Sequence, residues 1–314
     1  MIRYTAARVV WLAVVVLGVS VVTFGLGVLA PGDPAELALQ LTLELPPTPD
    51  QIERKREELG LDRPLAVQYA RWLGRAARGD LGESYVSGDA VASLIRERLP
   101  RTVLLASAAL ALSVLIAVPL GVLSAYRRDT LVDHICRMGA LVGASLPGYL
   151  LAYLLILFFA VRLEVLPVLG FDSAQHLVLP ALTLALGSAA SLTRFARAAV
   201  LDVLGEDYLR TARAKGVGTS RVLFAHALRN AAVPIVTVIG LSLGGLLGGA
   251  FVVEWIFSWP GLGELAVNAI NAKDYPVIQG FVLVTATAYV VVNFLTDLVY
   301  GALDPRIRLS AEGR

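Results

Sequence analysis

The chain has little charge and almost no cysteine. Of its 314 residues, 17% are charged, one is cysteine (Cys136), three are histidine and two are methionine. A single cysteine forms no internal disulfide and builds no cysteine-based metal site. His134, His176 and His226 are far apart in sequence, so a local contact explains each of them better than a metal ion does. We therefore expect no metal site in this chain.

The motifs of catalysis and nucleotide binding are also missing. There is no G-x-x-x-x-G-K-[ST] string, and residues 215–220 hold its letters in the wrong order. H-E-x-x-H and G-x-S-x-G are absent too. The formal net charge is only +2, and the basic residues lie between apolar runs, which gives no reason to expect nucleic acid as a partner. The chain is predicted to be no enzyme, with no catalytic residue and no cofactor of its own.

Apolar residues make up 57% of the chain, and the mean hydropathy is +0.71. Soluble domains are usually about 45–50% apolar, so an all-α integral membrane protein is expected. Residues 9–30 form an apolar run that is about 33 Å long as a helix, enough to cross a bilayer core of about 30 Å. A signal peptide has a shorter apolar region. Residues 1–30 are therefore predicted to hold an uncleaved first transmembrane helix.

Residues 31–100 form the only long polar region and are predicted to be extracytoplasmic and mostly helical. Thr48, Pro49 and Gln51 are typical of an N-cap, a first helical turn and a capping box, and Gly60 is typical of a helix end. Apolar residues recur at helical spacing over 65–76 and again over 91–99. These patterns predict three short helices outside the membrane.

Residues 101–303 hold five further apolar runs, at about 101–125, 138–161, 177–200, 231–252 and 279–301. Lys and Arg are in excess over 194–230, whereas acids are in excess in the short loops 162–176 and 253–278. The positive-inside rule then places 194–230, both chain ends and the tail 304–314 in the cytoplasm. The prediction is six transmembrane helices.

The polar segment 205–230 interrupts the apolar second half of the chain. In its first part, Glu206 and Asp207 precede Arg210, Arg213 and Lys215. This order of acids before bases complements the dipole of a helix. Gly216 and Gly218 are suited to end that helix. A basic loop that only fixes topology explains the charges equally well.

Several residues in or beside the spans are candidates for a translocation pathway or gate. Gly240, Gly244 and Gly248 follow GxxxG spacing, for which tight helix packing is the first explanation and a pathway wall is compatible. Asn293 and Asp297 lie four residues apart in the last span, where a functional role and a structural hydrogen bond are both open. Glu254 begins a loop in which Pro260 and Gly261 predict a turn back onto the outer face, where the loop would seal or line the outer mouth.

Residues 207–216 (DYLRTARAKG) and 226–234 (HALRNAAVP) resemble the cytoplasmic "EAA" loop of permease subunits in bacterial ABC importers. Arg210, Thr211 and Ala212 stand at the E-A-A positions, Gly216 is the fixed glycine and Pro234 is the later proline. The departure from literal Glu-Ala is similar to the peptide/nickel branch. Further matches are residues 31–34 (PGDP), 58–64 (ELGLDRP), 257–263 (FSWPGLG), 274–276 (DYP) and 304–306 (DPR).

This resemblance covers essentially the whole chain and implies the type I permease fold in a bacterial cytoplasmic membrane. It implies a coupling helix, roughly 206–217, that docks on an ATPase. The ATPase-coupling residues would be Glu206, Asp207, Tyr208, Arg210, Thr211, Ala212, Arg213, Lys215 and Gly216. The implied partners are a sister permease, two ATPase subunits that bind ATP and Mg, and an extracytoplasmic substrate-binding protein, beside membrane lipid.

Alternatives remain open for both the substrate and the functional class. The branch implies peptides, dipeptides or oligopeptides, while a nickel chelate, glutathione or haem would use the same machinery. An ion-coupled secondary transporter would need a midplane ion site in broken helices of an inverted repeat, and the sequence offers no such pair of helices. A scaffold or receptor that binds a ligand through residues 31–100 would copurify with no ATPase.

Overall fold

The computed structural model describes residues 2–29, 31–40, 46–218 and 221–303; within them, the side chains of residues 2–7, 40, 210, 212, 213, 225, 297 and 299–303 lie outside the description. The described chain is helical, and its only β-type pairing is an isolated bridge between Glu83 and Ala90. This confirms the all-α prediction. The tail 304–314, with the 304–306 match, lies outside the described residues.

The helices follow one another as α1 (Ile2–Leu29), α2 (Pro34–Gln40), α3 (Pro49–Leu59), α4 (Leu65–Ala76), α5 (Val91–Tyr126), α6 (Leu131–Ser145), α7 (Gly148–Leu155), α8 (Val178–Leu204), α9 (Asp207–Ala214), α10 (Leu228–Ile256), α11 (Leu262–Ala272) and α12 (Tyr275–Leu303). A π-helical turn, Ile156–Arg162, continues α7, and another, Val222–Ala227, leads into α10. A short 3-10 turn, Ala174–Leu177, precedes α8.

Five of the described helical segments are long and apolar enough to cross a membrane, and the bent pair formed by α6 and by α7 with its π-helical turn is a sixth if it counts as one span. The third span therefore differs from the single helix predicted over 138–161, because its halves meet at 105°. Leu146 has extended dihedrals before Pro147, as the proline ring requires of the residue that precedes it. Proline also lacks the amide hydrogen that would continue α6.

The helix that forms the second span begins at Val91, ten residues before the predicted start of the span. The apolar stripe at 91–99 is not a separate external helix, since α5 runs unbroken through Pro100 for 36 residues, about 54 Å. The boundary drawn at residue 100 therefore falls inside one helix. In the orientation predicted from the charges, the first turns of α5 rise from the membrane on the outer side.

Small residues let α5 and α8 pack closely along the centre of the bundle. Ala106, Ala109 and Ala117 on α5 are buried, and so are Ala189 and Ala196 on α8. Close approach of backbones is a main source of helix association in lipid, where apolar burial gains little. This pair forms the largest helix–helix contact of the described chain, whereas α1 packs mainly on α12.

The polar region before α5 packs on the outer end of α1. The Thr48 amide donates to Gln51 Oε1 at 2.8 Å, and Gly60 ends α3 with a φ of 69°, which confirms the predicted cap and stop. Tyr69 of α4 donates or accepts a 2.7 Å hydrogen bond with Ser20 and packs edge-on against Phe24. The contacts of Tyr69 hold α4 against the first span.

The ion pair between Asp33 and Arg56, with 2.5 Å between carboxylate and guanidinium, joins the turn after α1 to α3. Partial burial favours the neutral form of Asp33. The hydrogen bonds from Arg56 and from the Ala35 amide outweigh that effect, so the pKa of Asp33 lies below its ordinary value.

Candidate functional site

The short helix α9 lies between α8 and α10, in the polar segment where a coupling helix was expected. Its one fully buried side chain among those described is Leu209, which packs in a cluster with Val200 of α8 and with Val222 and Leu223 of the π-helical turn before α10. Val122 of α5 belongs to the same cluster. Through one leucine, α9 is thus anchored to a cluster formed by α5, α8 and the start of α10.

The opposite face of α9 is polar. Glu206, Asp207, Tyr208, Thr211 and Lys215 are exposed. The Tyr208 hydroxyl accepts a 2.5 Å hydrogen bond from Asn230 Nδ2 at the start of α10, and Thr211 Oγ1 donates to the Asp207 carbonyl at 3.1 Å. The side chains of Arg210, Ala212 and Arg213 lie outside the description. The assignment of these residues to ATPase contact stays a prediction.

α9 is shorter than the predicted 206–217 helix, because its last residue is Ala214. Gly216 has a φ of +80°, the left-handed conformation expected where a glycine ends a helix, whereas Gly218 has no such φ. A Cβ at Gly216 would meet no atom within 4 Å. The backbone angle, and not crowding, therefore favours glycine at this position.

An ion pair that the sequence analysis missed lies close to this site. Asp133 of α6 is fully buried, and Arg197 of α8 donates to both of its carboxylate oxygens at 2.8 and 2.7 Å. Ser124 of α5 and the Asp129 amide donate to the same carboxylate at 2.5 and 3.0 Å. The positive-inside rule alone had accounted for the basic residues of 194–230, Arg197 among them. No local sequence pattern connects Arg197 with an acid 64 residues earlier.

An open apolar groove of about 470 Å³ runs between α5 and α10. Its lining residues are small or aliphatic apart from one serine: Ser107, Leu110, Ala111, Val114, Leu115, Ile239 and Leu243. Gly240 and Gly244 point elsewhere, toward Thr296 and Tyr289 of α12. A Cβ at Gly248 would meet nothing within 4 Å. Tight packing thus accounts for two of the three glycines, and a pathway role for any of them is still a prediction.

The two polar candidates of the last span are only partly described. Asn293 Oδ1 is buried without a hydrogen-bond partner and faces Gly244. The side chain of Asp297 lies outside the description. The structure therefore places Asn293 at the contact between α10 and α12.

The outer loop folds back as a hairpin, as predicted, and α11 forms its returning arm. Glu254 at the end of α10 is fully buried, and its Oε2 accepts the Gly263 amide at 2.6 Å. A Cβ on Gly261 would collide with the Glu254 carboxyl group, and a Cβ on Gly263 would collide first with Phe251 and then with the same carboxyl group. Both glycines are therefore required where the hairpin backbone closes over this side chain.

Further contacts fasten this hairpin, residues 254–272, to the outer part of α5. Trp259 Nε1 donates to the Arg101 carbonyl at 3.1 Å, and the Leu262 amide donates to Thr102 Oγ1 at 2.8 Å. Arg98 and Glu264 form an ion pair. The hairpin and the outer end of α5 are thus joined by backbone, hydroxyl and charged groups.

The turn between α11 and α12 is also tied to the external region. Asp274 is almost fully buried, accepts a hydrogen bond from the Ser84 hydroxyl and accepts the Tyr85 amide at 3.1 Å. Burial, together with the nearby Asp274, raises the pKa of Tyr85 to about 12. Tyr85 therefore stays neutral over the physiological range. Sealing of the outer mouth by the hairpin is still a prediction.

No group of three or more His, Cys, Asp or Glu residues could hold a metal ion within the described ranges. A bundle of apolar spans with a short anchored helix between two of them is the architecture of a multi-pass membrane protein. Residues 117–309 match the family described as "Binding-protein-dependent transport system inner membrane component", and residues 1–106 match the N-terminal family of such membrane components. The chain belongs to this family and has a transport role in the inner membrane.

Full-length relatives agree with the family. The chain is 41% identical over 321 residues to a putative peptide permease protein of Brucella suis biovar 1 (strain 1330), covering 99% of this chain and 100% of the relative. It is 40% identical over 320 residues to the oligopeptide transport system permease protein AppB of Bacillus subtilis (strain 168), covering 98% and 99%. It is 41% identical over 308 residues to the glutathione transport system permease protein GsiC of Escherichia coli (strain K12), covering 98% and 99%.

Solved structures show the same fold. A chain of the MetNI methionine ABC transporter in an inward-facing conformation superposes with a TM-score of 0.58 at 19% identity, covering 67% of this chain and 96% of that one. A chain of an amino acid ABC transporter crystallised with histidines gives a TM-score of 0.53 at 16% identity, covering 68% and 94%. The predicted ABC importer permease fold is confirmed.

Proposed function

We propose that this chain forms half of the membrane pathway of an ATP-driven importer for peptides and that α9 couples the pathway to ATP hydrolysis. One observation carries the coupling role. Leu209 is fully buried among the cytoplasmic ends of α5, α8 and the turn before α10, while the other face of α9 is polar and exposed. This arrangement suits a helix that receives a push from a partner and passes it to several spans.

The mechanism requires one structural element whose equilibrium between two states depends on both the ATP site and the substrate path. Nucleotide binding closes the two ATPase subunits, which move α9 through its exposed face. Since Leu209 packs on α8 and on the π-helical turn, α9 moves the fourth and fifth spans with it. The ATP site and the substrate path then share one two-state element, as allosteric coupling requires.

The energy source lies outside this chain. With no P-loop in the sequence, ATP and Mg belong to the partner ATPase subunits. A sister permease supplies the other wall of the path, facing the groove between α5 and α10. An external substrate-binding protein delivers the cargo to the outer face, beside the hairpin 254–272.

Peptides are the proposed cargo because relatives at 40–41% identity over the full chain carry the names peptide permease and oligopeptide permease. The glutathione permease relative makes glutathione, itself a short peptide, the second candidate. The apolar lining of the groove fits a path that lets peptides of different side chains pass without binding them tightly.

The test is uptake by the chain reconstituted in lipid vesicles with its sister permease, the ATPases and the binding protein. A dipeptide, a pentapeptide, reduced glutathione, a nickel chelate and haem are compared at equal concentration. We expect peptides to stimulate both ATP hydrolysis and uptake. Uptake by this chain alone, driven by an ion gradient without ATP, would contradict the proposal and favour a secondary transporter. Stimulation by the nickel chelate or haem alone would keep the importer and reject the peptide substrate.

A further inference from the structure

A small cavity lies beside Glu254, at the outer end of the bundle where α5, α10, α11 and α12 meet. Its volume is about 20 Å³, and its polar side chains are Thr102, Glu254 and Thr285, with apolar groups over the rest of the wall. The groove between α5 and α10 has a different set of lining residues. The cavity is therefore separate from the proposed substrate path.

Two buried oxygen atoms of the cavity walls have no hydrogen-bond partner. They are Glu254 Oε1 and Thr285 Oγ1. The other carboxylate oxygen of Glu254 accepts the Gly263 amide, and both Glu254 and Thr285 line the cavity. Buried polar atoms are nearly always paired in folded proteins, and an unobserved water is a common partner.

Thr285 also departs from the pattern of most threonines in the long helices, a departure that it shares with Thr23 of α1. Five of the helix threonines donate their hydroxyl hydrogen to the carbonyl four residues earlier: Thr183, Thr193, Thr237, Thr287 and Thr296. Thr285 makes no such bond. Its hydroxyl is available to an occupant of the cavity.

The size and the chemistry of the cavity select one kind of occupant. A cavity of at least about 10–15 Å³ with two to four polar partners holds one water molecule. A bare cation such as Ca²⁺ takes about six to eight oxygen ligands, more than Glu254, Thr285 and Thr102 supply, and Thr102 Oγ1 already accepts the Leu262 amide. An organic ligand is too large.

We propose that a single water molecule occupies this cavity and bridges Glu254 Oε1 to Thr285 Oγ1. The bridge fastens the base of the hairpin 254–272 to α12. It acts beside the direct bonds from the hairpin to α5, so the outer ends of α5, α10 and α12 move as one body. This water site lies at the outer end of the bundle and is independent of the cargo and of the energy source.

The direct test is a cryo-EM map of the wild-type chain in lipid nanodiscs, with any subunits that copurify, at a resolution that resolves ordered waters elsewhere in the chain. We expect one density within hydrogen-bond distance of both Glu254 Oε1 and Thr285 Oγ1. An empty cavity would overturn the proposal. A density that appears only in sodium or potassium buffer and not in choline buffer would also overturn it, in favour of a cation.

Two variants test the role of the water. Thr285→Val removes one hydrogen-bonding end at nearly constant volume, and we expect the amides of residues 261–264 to exchange with deuterium about fivefold to tenfold faster, as the loss of a hydrogen bond implies. Thr287→Val is the matched control, because Thr287 donates to the Leu283 carbonyl, and should leave that exchange unchanged. Equal exchange in the two variants would contradict the bridge.

Glu254→Gln separates water from a cation, because the amide oxygen of glutamine still accepts from water but carries no charge. The density should persist in this variant if the occupant is water, and its loss would reject water. The wild-type map needs no variant to fold, so it decides the question even if a substitution prevents assembly.

Discussion

Asp133 and Arg197 form a two-pronged ion pair in which the acid is fully buried and the arginine remains 20% exposed. The pair joins α6 to α8, and the hydroxyl of Ser124 adds the end of α5. It lies on the same side of the bundle as α9, in the predicted cytoplasmic orientation. One carboxylate thus links α5, α6 and α8, and the cluster around Leu209 links α5 and α8 to the turn before α10.

We predict that Arg197→Ala lowers the stability of the chain by about 3 kcal/mol, because it leaves a buried carboxylate without its cation. Arg194→Ala, at an exposed position on the same helix, should cost much less. Thermal unfolding of the purified chain in detergent micelles measures both. In a double-mutant cycle, Asp133→Ala combined with Arg197→Ala should cost clearly less than the sum of the two; additive costs would show that the pair contributes little.

A second prediction concerns the anchor of α9. Leu209→Ala removes the buried side chain that fixes the helix, a change that costs about 2–5 kcal/mol in a packed core. We expect the amides of α9 to exchange faster with deuterium and ATP hydrolysis to continue with less uptake per ATP. The control is Leu131→Ala, the same truncation at an exposed leucine outside α9. Normal uptake per ATP in the Leu209 variant would argue against α9 as the coupling element.

Much of the fold could be predicted because its signals are local. The cap at Thr48 and Gln51 and the stop at Gly60 depend on residues within one turn of each helix end, and both are present. The spans after residue 176 were placed within a few residues by apolar length, since only a helix of that length satisfies its backbone across a membrane.

Other features could not be predicted, because they depend on contacts between distant segments. Both halves of the third span are apolar, so a hydropathy profile does not reveal the 105° bend at Pro147. The polar residues among 91–99 make the start of α5 resemble a separate surface helix, but one of them, Arg98, pairs with Glu264 on the hairpin, 166 residues later. The partner of Arg197 and the closure of Gly261 over Glu254 are equally invisible in a linear pattern.

A third prediction uses the glycines of α10. Gly240→Ala should destabilise the chain by about 1–3 kcal/mol, because the new methyl group overpacks against Thr296, whose branched side chain has little freedom in a helix. Gly248→Ala meets no atom of this chain and should not destabilise it. Thermal unfolding of the chain alone tests both. If Gly248→Ala nevertheless weakens copurification of the sister permease, the surface of α10 around Gly248 would be part of the interface with that subunit.

The last prediction isolates the backbone conformation at the end of the coupling segment. Gly216 and Gly218 both have open space where a Cβ would stand, but only Gly216 has a positive φ. An L-residue in the left-handed region costs about 1–2 kcal/mol. We therefore expect Gly216→Ala to lower uptake per ATP hydrolysed in the reconstituted complex, whereas Gly218→Ala leaves that ratio unchanged. Gly216→Asn should restore part of the ratio, since asparagine tolerates this conformation better than other residues do. Equal effects of the two alanine substitutions would mean that side-chain contact with a partner, and not the turn at Gly216, determines coupling.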